Sequence, residues 1–326
     1  EQFLKSWDNG DDQFELKSSG STGDPKNIVL ERKWMEWSAN QTAKFILPQS
    51  GDRLLCCLPL NRVGGLMMLV RSKVWNIPVD IVSPSANPLD QYKGNANIVS
   101  FTPYQLHHVL NESSDLLLNS FREVLIGGSE IPLVLESKLK KLNTNTIFRQ
   151  SYGMTETYSH IALRTLNGSH FSEWFKTFEE VSIKSDDSNC AVIFAPFATN
   201  GLTTNDIVEL KNEHELKVLG RKDFTINSGG VKIQIEALER RIMELYNIEA
   251  AFVISSKKDT LLGERVVLVT ENKSAFKELD WQILKSEMAF AVPREIIEIK
   301  KLPVNEGAKY DRIKIKDLLA IDIDSN

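Results

Sequence analysis

The feature that most constrains this chain is a regular alternation, over its first two thirds, of short apolar runs with longer amphipathic stretches. Runs at 54–58, 79–82, 98–101, 124–126 and 147–148 are compact, rich in β-branched or aromatic residues, and bounded by Gly, Pro, Asn or Asp, as the strands of a covered sheet are. Amphipathic stretches at 34–46, 65–75, 103–110 and 132–142 lie before or between them. Parallel pairing of successive strands requires a long crossover, usually a helix, and these stretches supply it. The expected fold class is α/β, with a large layered N-terminal domain built on a mostly parallel sheet.

After about residue 181 the pattern changes. Strand-like runs at 181–184, 191–194, 207–211 and 215–219 are separated by short polar turns, and Lys211-Asn212-Glu213-His214 fits a hairpin loop. Beyond Arg221, Ile235, Leu238, Ile242 and Leu245 share one helical face, 251–255 and 266–270 read as strands, and Phe276, Leu279 and Ile283 mark a further helix. A small β-hairpin region and then a smaller α+β C-terminal domain are therefore expected, with the domains at 1–221 and 222–326.

Composition narrows the function classes. At 326 residues the chain can bury two cores. Its 39 basic and 44 acidic side chains leave a formal charge of −5, which offers no footprint for nucleic acid. The apolar run from Leu66 to Val70 is closed off by Arg71 and Lys73, far short of the roughly 20 residues of a membrane helix, so no membrane span is expected. Glu1-Gln2-Phe3-Leu4-Lys5 lacks the basic-then-apolar pattern of a secretory signal. Three cysteines do not make a disulfide framework, and Cys56-Cys57 reads as part of a buried strand. A cytoplasmic location is the expectation.

The stretch richest in chemistry is Ser18-Ser19-Gly20-Ser21-Thr22-Gly23-Asp24-Pro25-Lys26, set between strand candidates at 14–16 and 28–30. Backbone N–H groups, hydroxyls and one cation at close range are what grips a polyphosphate. No Gly-Lys-Ser/Thr follows at the Walker spacing, and Pro25 forbids a helix through the loop. On these residues alone an ordinary polar turn stays open.

Ser18 to Lys26 resembles the phosphate loop of the adenylate-forming superfamily, which holds acyl-CoA synthetases, peptide-synthetase adenylation domains and luciferases. Further motifs follow in that superfamily's order. Gly127-Gly128-Ser129 resembles its adenine-side turn, Gln150-Ser151-Tyr152-Gly153-Met154-Thr155-Glu156-Thr157 its aromatic-Gly-x-Thr-Glu motif, and Thr204-Asn205-Asp206 its Thr-Gly-Asp. Gly220-Arg221-Lys222-Asp223 resembles the hinge motif, Ser228-Gly229-Gly230 the loop after it, and Leu302-Pro303 through Lys309 to Arg312 the C-terminal lysine motif. Singly, each of these residues reads as a turn or a solvated charge; the ordered set does not.

The resemblance implies an enzyme that activates a carboxylic acid on the α-phosphate of ATP, releases pyrophosphate and leaves an acyl-adenylate. Charge gathers on phosphate oxygens in such a step, so donors and cations must be preorganised. By the same resemblance, Ser18, Ser19, Gly20, Ser21, Thr22, Gly23 and Lys26 bind ATP, with Ser19, Ser21, Thr22 and Lys26 on the β- and γ-phosphates. Thr155 meets the α-phosphate, and Glu156 coordinates Mg²⁺, a hard cation suited to carboxylate and phosphate oxygen. Tyr152, Gly153, Gly128 and Ser129 belong to the adenine pocket, and Asp206 takes the ribose hydroxyls with help from Arg221. Lys309 is the catalytic cation brought to the reacting carboxylate, with Thr155 and Glu156 the other catalytic residues. Rotation about Asp223 then opens a path for CoA, whose pantetheine arm would pass Ser228, Gly229 and Gly230. The implied partners are a small carboxylic acid, ATP and CoA, and a homodimer is allowed.

The chain also departs from the pattern. Asn205 and Ala308 replace usual glycines, and Leu58-Pro59-Leu60-Asn61-Arg62-Val63-Gly64-Gly65-Leu66 stands where many relatives carry an aromatic-His pair. Arg62 or Arg71, near Gly127 in an acyl pocket, could pair with a second substrate carboxylate; Arg62 also reads as a structural arginine. These stretches are most similar to the 2-succinylbenzoate–CoA ligase branch of menaquinone biosynthesis. Loading of a carrier-protein phosphopantetheine, or nucleotide binding without catalysis, are the competing readings. Only residues 1–17 precede the phosphate loop, so a reduced or missing first subdomain is expected.

Overall fold

A computed structural model of the chain describes residues 2–17, 27–248, 250–304 and 310–321. These fall into two compact units, one of residues 1–183, 193–202 and 211–217, the other of 184–192, 203–210 and 218–326.

The first unit runs through α1 (Gln2–Asp8), β1 (Gln13–Lys17), β2 (Asn27–Glu31), α2 (Arg32–Ile46), β3 (Leu54–Cys56), α3 (Val63–Trp75) and β4 (Val79–Ile81). It continues through β5 (Ile98–Phe101), α4 (Pro103–Glu112), α5 (Ser114–Ser120), β6 (Glu123–Ile126), α6 (Leu133–Lys140), β7 (Ile147–Met154), β8 (Ser159–Thr165) and β9 (Phe175–Thr177). Its sheet has the order β9-β8-β7-β6-β5-β3-β4. β4, β3, β5, β6 and β7 are parallel, and β8 and β9 continue the sheet antiparallel. The expected parallel sheet is therefore the five strands from β7 to the β4 edge. The run at 79–82 departs from a covered strand: among the described residues β4 is the edge with no strand paired beyond it, and Ile81 is 50% exposed.

Local sequence sets where the helices begin. Thr102-Pro103-Tyr104-Gln105 forms a capping box: the Thr102 hydroxyl accepts from the Gln105 amide at 3.2 Å, and the Gln105 side chain accepts from the Thr102 amide at 3.1 Å. One core then seals Leu106, Val109, Leu117, Leu135 and Leu139 of α4, α5 and α6 onto Val99, Phe101, Val124 and Ile126. A second joins Trp7, Phe14, Leu30, Met35, Met67 and Val70 from α1, the β1–β2 pair, α2 and α3. Cys56 and Cys57 are fully buried, and burial pushes both thiols up, which matches the structural reading of the pair.

The chain then passes through β10 (Ser182–Ser185), β11 (Cys190–Ala195), β12 (Ala198–Asn212) and β13 (Glu215–Arg221), whose residues are divided between the units. The second unit goes on to β14 (Thr225–Ser228), β15 (Val231–Gln234), α7 (Ile235–Tyr246), β16 (Phe252–Asp259), β17 (Gly263–Thr270), α8 (Gln282–Glu287), β18 (Glu295–Glu298) and α9 (Arg312–Ile321). Its sheet has the order β15-β14-β17-β16, with β18 parallel to the second half of β17. Alternation sorts its two faces: Ile254, Val266 and Leu268 pack with Leu238 and Ile242 of α7, whereas Val253, Val267 and Val269 pack with Ile315 and Leu319 of α9.

The helix expected over Phe276, Leu279 and Ile283 is not continuous. Phe276 is buried at the end of a 3₁₀ turn, Lys273–Phe276, while Ile283 is 47% exposed on α8. The Asp280 carboxylate accepts from the Gln282 amide at 3.0 Å and starts a new helix there, the competition that Asp side chains offer to a running helix. Among the described residues, no helix is long and apolar enough to cross a membrane.

Candidate active site

Because β3 to β7 run parallel, the segments after them emerge along one edge of the sheet, where α/β folds bind ligands. Arg62 follows β3 and is partly exposed at the start of α3; Gly127, Gly128 and Ser129 follow β6. Tyr152, Gly153 and Met154 end β7 itself, and Thr155–Thr157 make the 3₁₀ turn beyond it. The structure thus brings these motif residues to the carboxyl ends of neighbouring strands.

The turn is held from within. The buried Thr157 hydroxyl sits 2.9 Å from the Met154 amide, which donates to it, and 2.6 Å from the Ser159 carbonyl. Tyr158 and Ser159 follow at φ of 61° and 146°, a costly backbone for L residues that persists where surroundings impose it. Glu156 projects to solvent from this turn. Tyr152 is buried with its ring 6.0 Å from that of Phe175. Gly153 answers to the sheet: a Cβ there would lie 2.2 Å from the Ser159 carbonyl oxygen and 2.5 Å from the His160 Cα. The register shifts between Tyr152 and Gly153, so the glycine lets β7 and β8 close up after a bulge.

Arg71, on α3, is 2% exposed. Its Nη2 donates to the Ser159 hydroxyl at 3.0 Å and lies 3.4 Å from Nδ1 of His160. No carboxylate of the described residues pairs with it, and its Nε is buried without a hydrogen-bond partner. Burial pushes its pKa down to about 10. His160 is buried beside it, and burial first, then the Arg71 charge, hold the imidazole well below its ordinary pKa. Sequence reading missed Ser159, His160 and Thr42 as members of this cluster. The available signal was one polar pair placed between the Thr-Glu motif and the apolar Ile161-Ala162-Leu163.

In the second unit, Asp206 lies on β12 and Arg221 ends β13. Arg221 donates to Asp206 at 3.1 Å and to Asp223 at 2.8 Å. Burial works against the Arg221 charge, but Asp223 and Asp206 outweigh it and push its pKa up. Thr204 accepts from the Asp206 amide at 3.0 Å, which fixes the carboxylate's base. Ser228 and Val231 pair across Gly229 and Gly230, both at positive φ (60° and 83°), as a two-residue hairpin turn requires. Ser18, Ser19, Gly20, Ser21, Thr22, Gly23, Lys26 and Lys309 lie outside the described residues. The described residues hold no cluster of three or more His, Cys, Asp or Glu able to bind a metal.

Known proteins resemble this chain in sequence and in fold. The family model described as AMP-binding enzyme matches residues 17–188. The chain is similar to the 2-succinylbenzoate–CoA ligase of Listeria monocytogenes serotype 4b, at 28% identity over 97% of this chain and 72% of that protein. It is similar in structure to an acyl-CoA synthetase (AMP-forming)/AMP-acid ligase II-like protein from Dyadobacter fermentans, with a TM-score of 0.62 and 33% identity, over 98% of this chain and 93% of that one. An o-succinylbenzoate coenzyme A synthetase from Bacillus subtilis, solved with ATP and magnesium ion, shares the fold at a TM-score of 0.72 and 22% identity, over 92% of this chain and 69% of that one.

Proposed function

Because the chain belongs to the AMP-binding enzyme family, we propose that it is an AMP-forming acid–CoA ligase whose acid is 2-succinylbenzoate. The relative from Listeria supports that acid by its printed name. The observation that carries it is Arg71. A buried guanidinium without a counter-charge is costly, and an acid with two carboxylates repays that cost: one is activated while the other stays anionic and pairs with the arginine. Arg62, at the start of the same helix, is the second candidate for that contact.

The remaining assignments rest on the motifs. The exposed Glu156 carboxylate suits Mg²⁺, which takes one or two carboxylates and completes its shell with phosphate oxygens and water. Mg²⁺ supplies charge neutralisation at the phosphates when bound. Asp206 suits ribose hydroxyls as an acceptor, with Arg221 holding it in place. Thr155 donates to the α-phosphate from the turn that Thr157 locks. Lys309 brings the cation to the reacting oxygens, and Asp223 is the hinge about which residues 222–326 turn to admit CoA past Ser228, Gly229 and Gly230. The enzyme would act in the cytoplasm, in menaquinone biosynthesis.

The test is pyrophosphate release over a panel of aryl and aliphatic acids, each with and without CoA. Turnover of 2-succinylbenzoate that yields the CoA thioester supports the reading. Inertness of that acid beside turnover of benzoates or fatty acids overturns it, and transfer to a carrier protein in place of CoA overturns the acceptor.

A further inference from the structure

We propose that His160, together with Ser159 and Thr42, positions the Arg71 guanidinium through uncharged partners alone, so that its charge is reserved for the second carboxylate of the substrate. The inference rests on the acid proposed above and assigns how that contact is prepared.

The proton positions follow from the bonds. The Thr42 hydroxyl donates to the Ser38 carbonyl at 2.9 Å, so toward His160 Nε2, 3.0 Å away, it can only accept. The imidazole therefore carries its proton on Nε2 and turns the Nδ1 lone pair toward Arg71 Nη2. The Ser159 hydroxyl bridges the same two groups, accepting from Arg71 at 3.0 Å and lying 3.3 Å from Nδ1. A chain of bonds thus runs from the guanidinium through Ser159 and His160 to Thr42 and the backbone of α2.

Every partner in that chain is neutral. The Met68 sulfur lies 3.6 Å from Nη1, and the Cys56 thiol is kept protonated by its burial. Phe178 closes the far side of the imidazole, edge-on at 5.5 Å. A carboxylate at position 160 would hold the arginine equally well in geometry and cancel its charge. Histidine held neutral orients without cancelling, and the Arg71 Nε has no hydrogen-bond partner among the described residues. Ser159 and His160 open β8 directly after the turn that carries Glu156, which ties this network to the motif.

The test compares 2-succinylbenzoate with 4-oxo-4-phenylbutanoate, the same acid without its ring carboxylate. In His160→Asp, KM for the diacid is expected to rise about tenfold or more, as loss of one charged contact implies, while KM for the monoacid moves far less. His160→Gln, a neutral donor and acceptor, is expected to restore the diacid KM. If His160→Asp does not fold, His160→Leu provides the same comparison by deleting the acceptor. A KM split in either variant with rescue by Gln supports the positioning role. Equal changes for both acids, or none, overturn it while the proposed acid stands; a wild-type enzyme inert toward 2-succinylbenzoate overturns both.

Discussion

The Asn205 side chain donates to both carboxylate oxygens of Asp223, at 3.1 and 3.3 Å. The relationship is unusual because the superfamily pattern has glycine where this chain has Asn205, and Asp223 is the proposed hinge. A glycine has no side chain with which to hold the hinge residue. Arg221 grips the same carboxylate from the other side, so Asp223 is tethered twice.

Asn205→Gly is therefore expected to loosen the hinge. The bond is exposed and contributes about 0.5–1 kcal/mol, which corresponds to a change of about two- to fivefold in a rate limited by hinge motion. Single-turnover measurements of adenylate formation and of thioester formation would show faster passage between the two steps. Unchanged rates in both would sink the tether.

Lys309→Ala should abolish adenylate formation and leave the transfer of a preformed acyl-adenylate to CoA largely intact. The two half-reactions can be followed separately by pyrophosphate release and by thioester absorbance. Equal loss in both would argue against a lysine that acts in one arrangement only.

Arg71→Met keeps the volume and apolar stem while removing the charge. It is expected to raise KM for the diacid about thirtyfold or more, since losing one partner of a desolvated ion pair costs about 2 kcal/mol or more. Stability should hold or rise, since no carboxylate of the described residues pairs with the buried charge. A diacid KM that does not move would remove Arg71 from the acyl pocket.

Gly153→Ala places a methyl where the Ser159 carbonyl and His160 Cα already stand. Overpacking of this kind costs about 1–3 kcal/mol, so urea unfolding should show a lower midpoint with an unchanged slope. Wild-type stability in the variant would mean that β7 and β8 separate easily.

Acid should destabilise the protein in two stages. His160 is neutral when folded, with its pKa lowered, so the unfolded chain binds the extra proton and stability falls as pH drops below the ordinary value of 6.5. For Asp52, burial alone would raise the pKa, but bonds from Arg122, the Gln49 amide and Asn97 outweigh it and hold the carboxyl low. Its contribution is present above the ordinary value of 3.8 and is lost as pH falls below it. His160→Gln should shrink the first limb of a stability–pH curve, to which His107 also contributes, and Asp52→Asn should shrink the second, which Asp259 and Glu264 share.

Much of this was legible in the chain alone. The apolar runs become β3, β5, β6 and β7, the stretch at 103–110 becomes α4, and Ile235, Leu238 and Ile242 face the core of the second unit, because periodicity acts within a few residues. The break at Asp280 was not legible, since one Asx bond outweighed a helical apolar pattern. The exposed edge at Ile81 was hidden as well, because a short apolar run looks the same at the centre of a sheet as at its border.

The sequence by itself determined the superfamily, through motifs whose order spans Ser18 to Arg312, and the α/β alternation that sets them after successive strands. Only the tertiary structure decided what surrounds Arg71. Ser159 stands 88 positions from it in the chain, and Thr42 stands 118 from His160, so no local pattern could reveal that a charged side chain is buried among neutral partners. Burial and pairing depend on which surfaces meet when α2, α3 and β8 pack together, and that is where an ordinary arginine becomes one held ready for an anion.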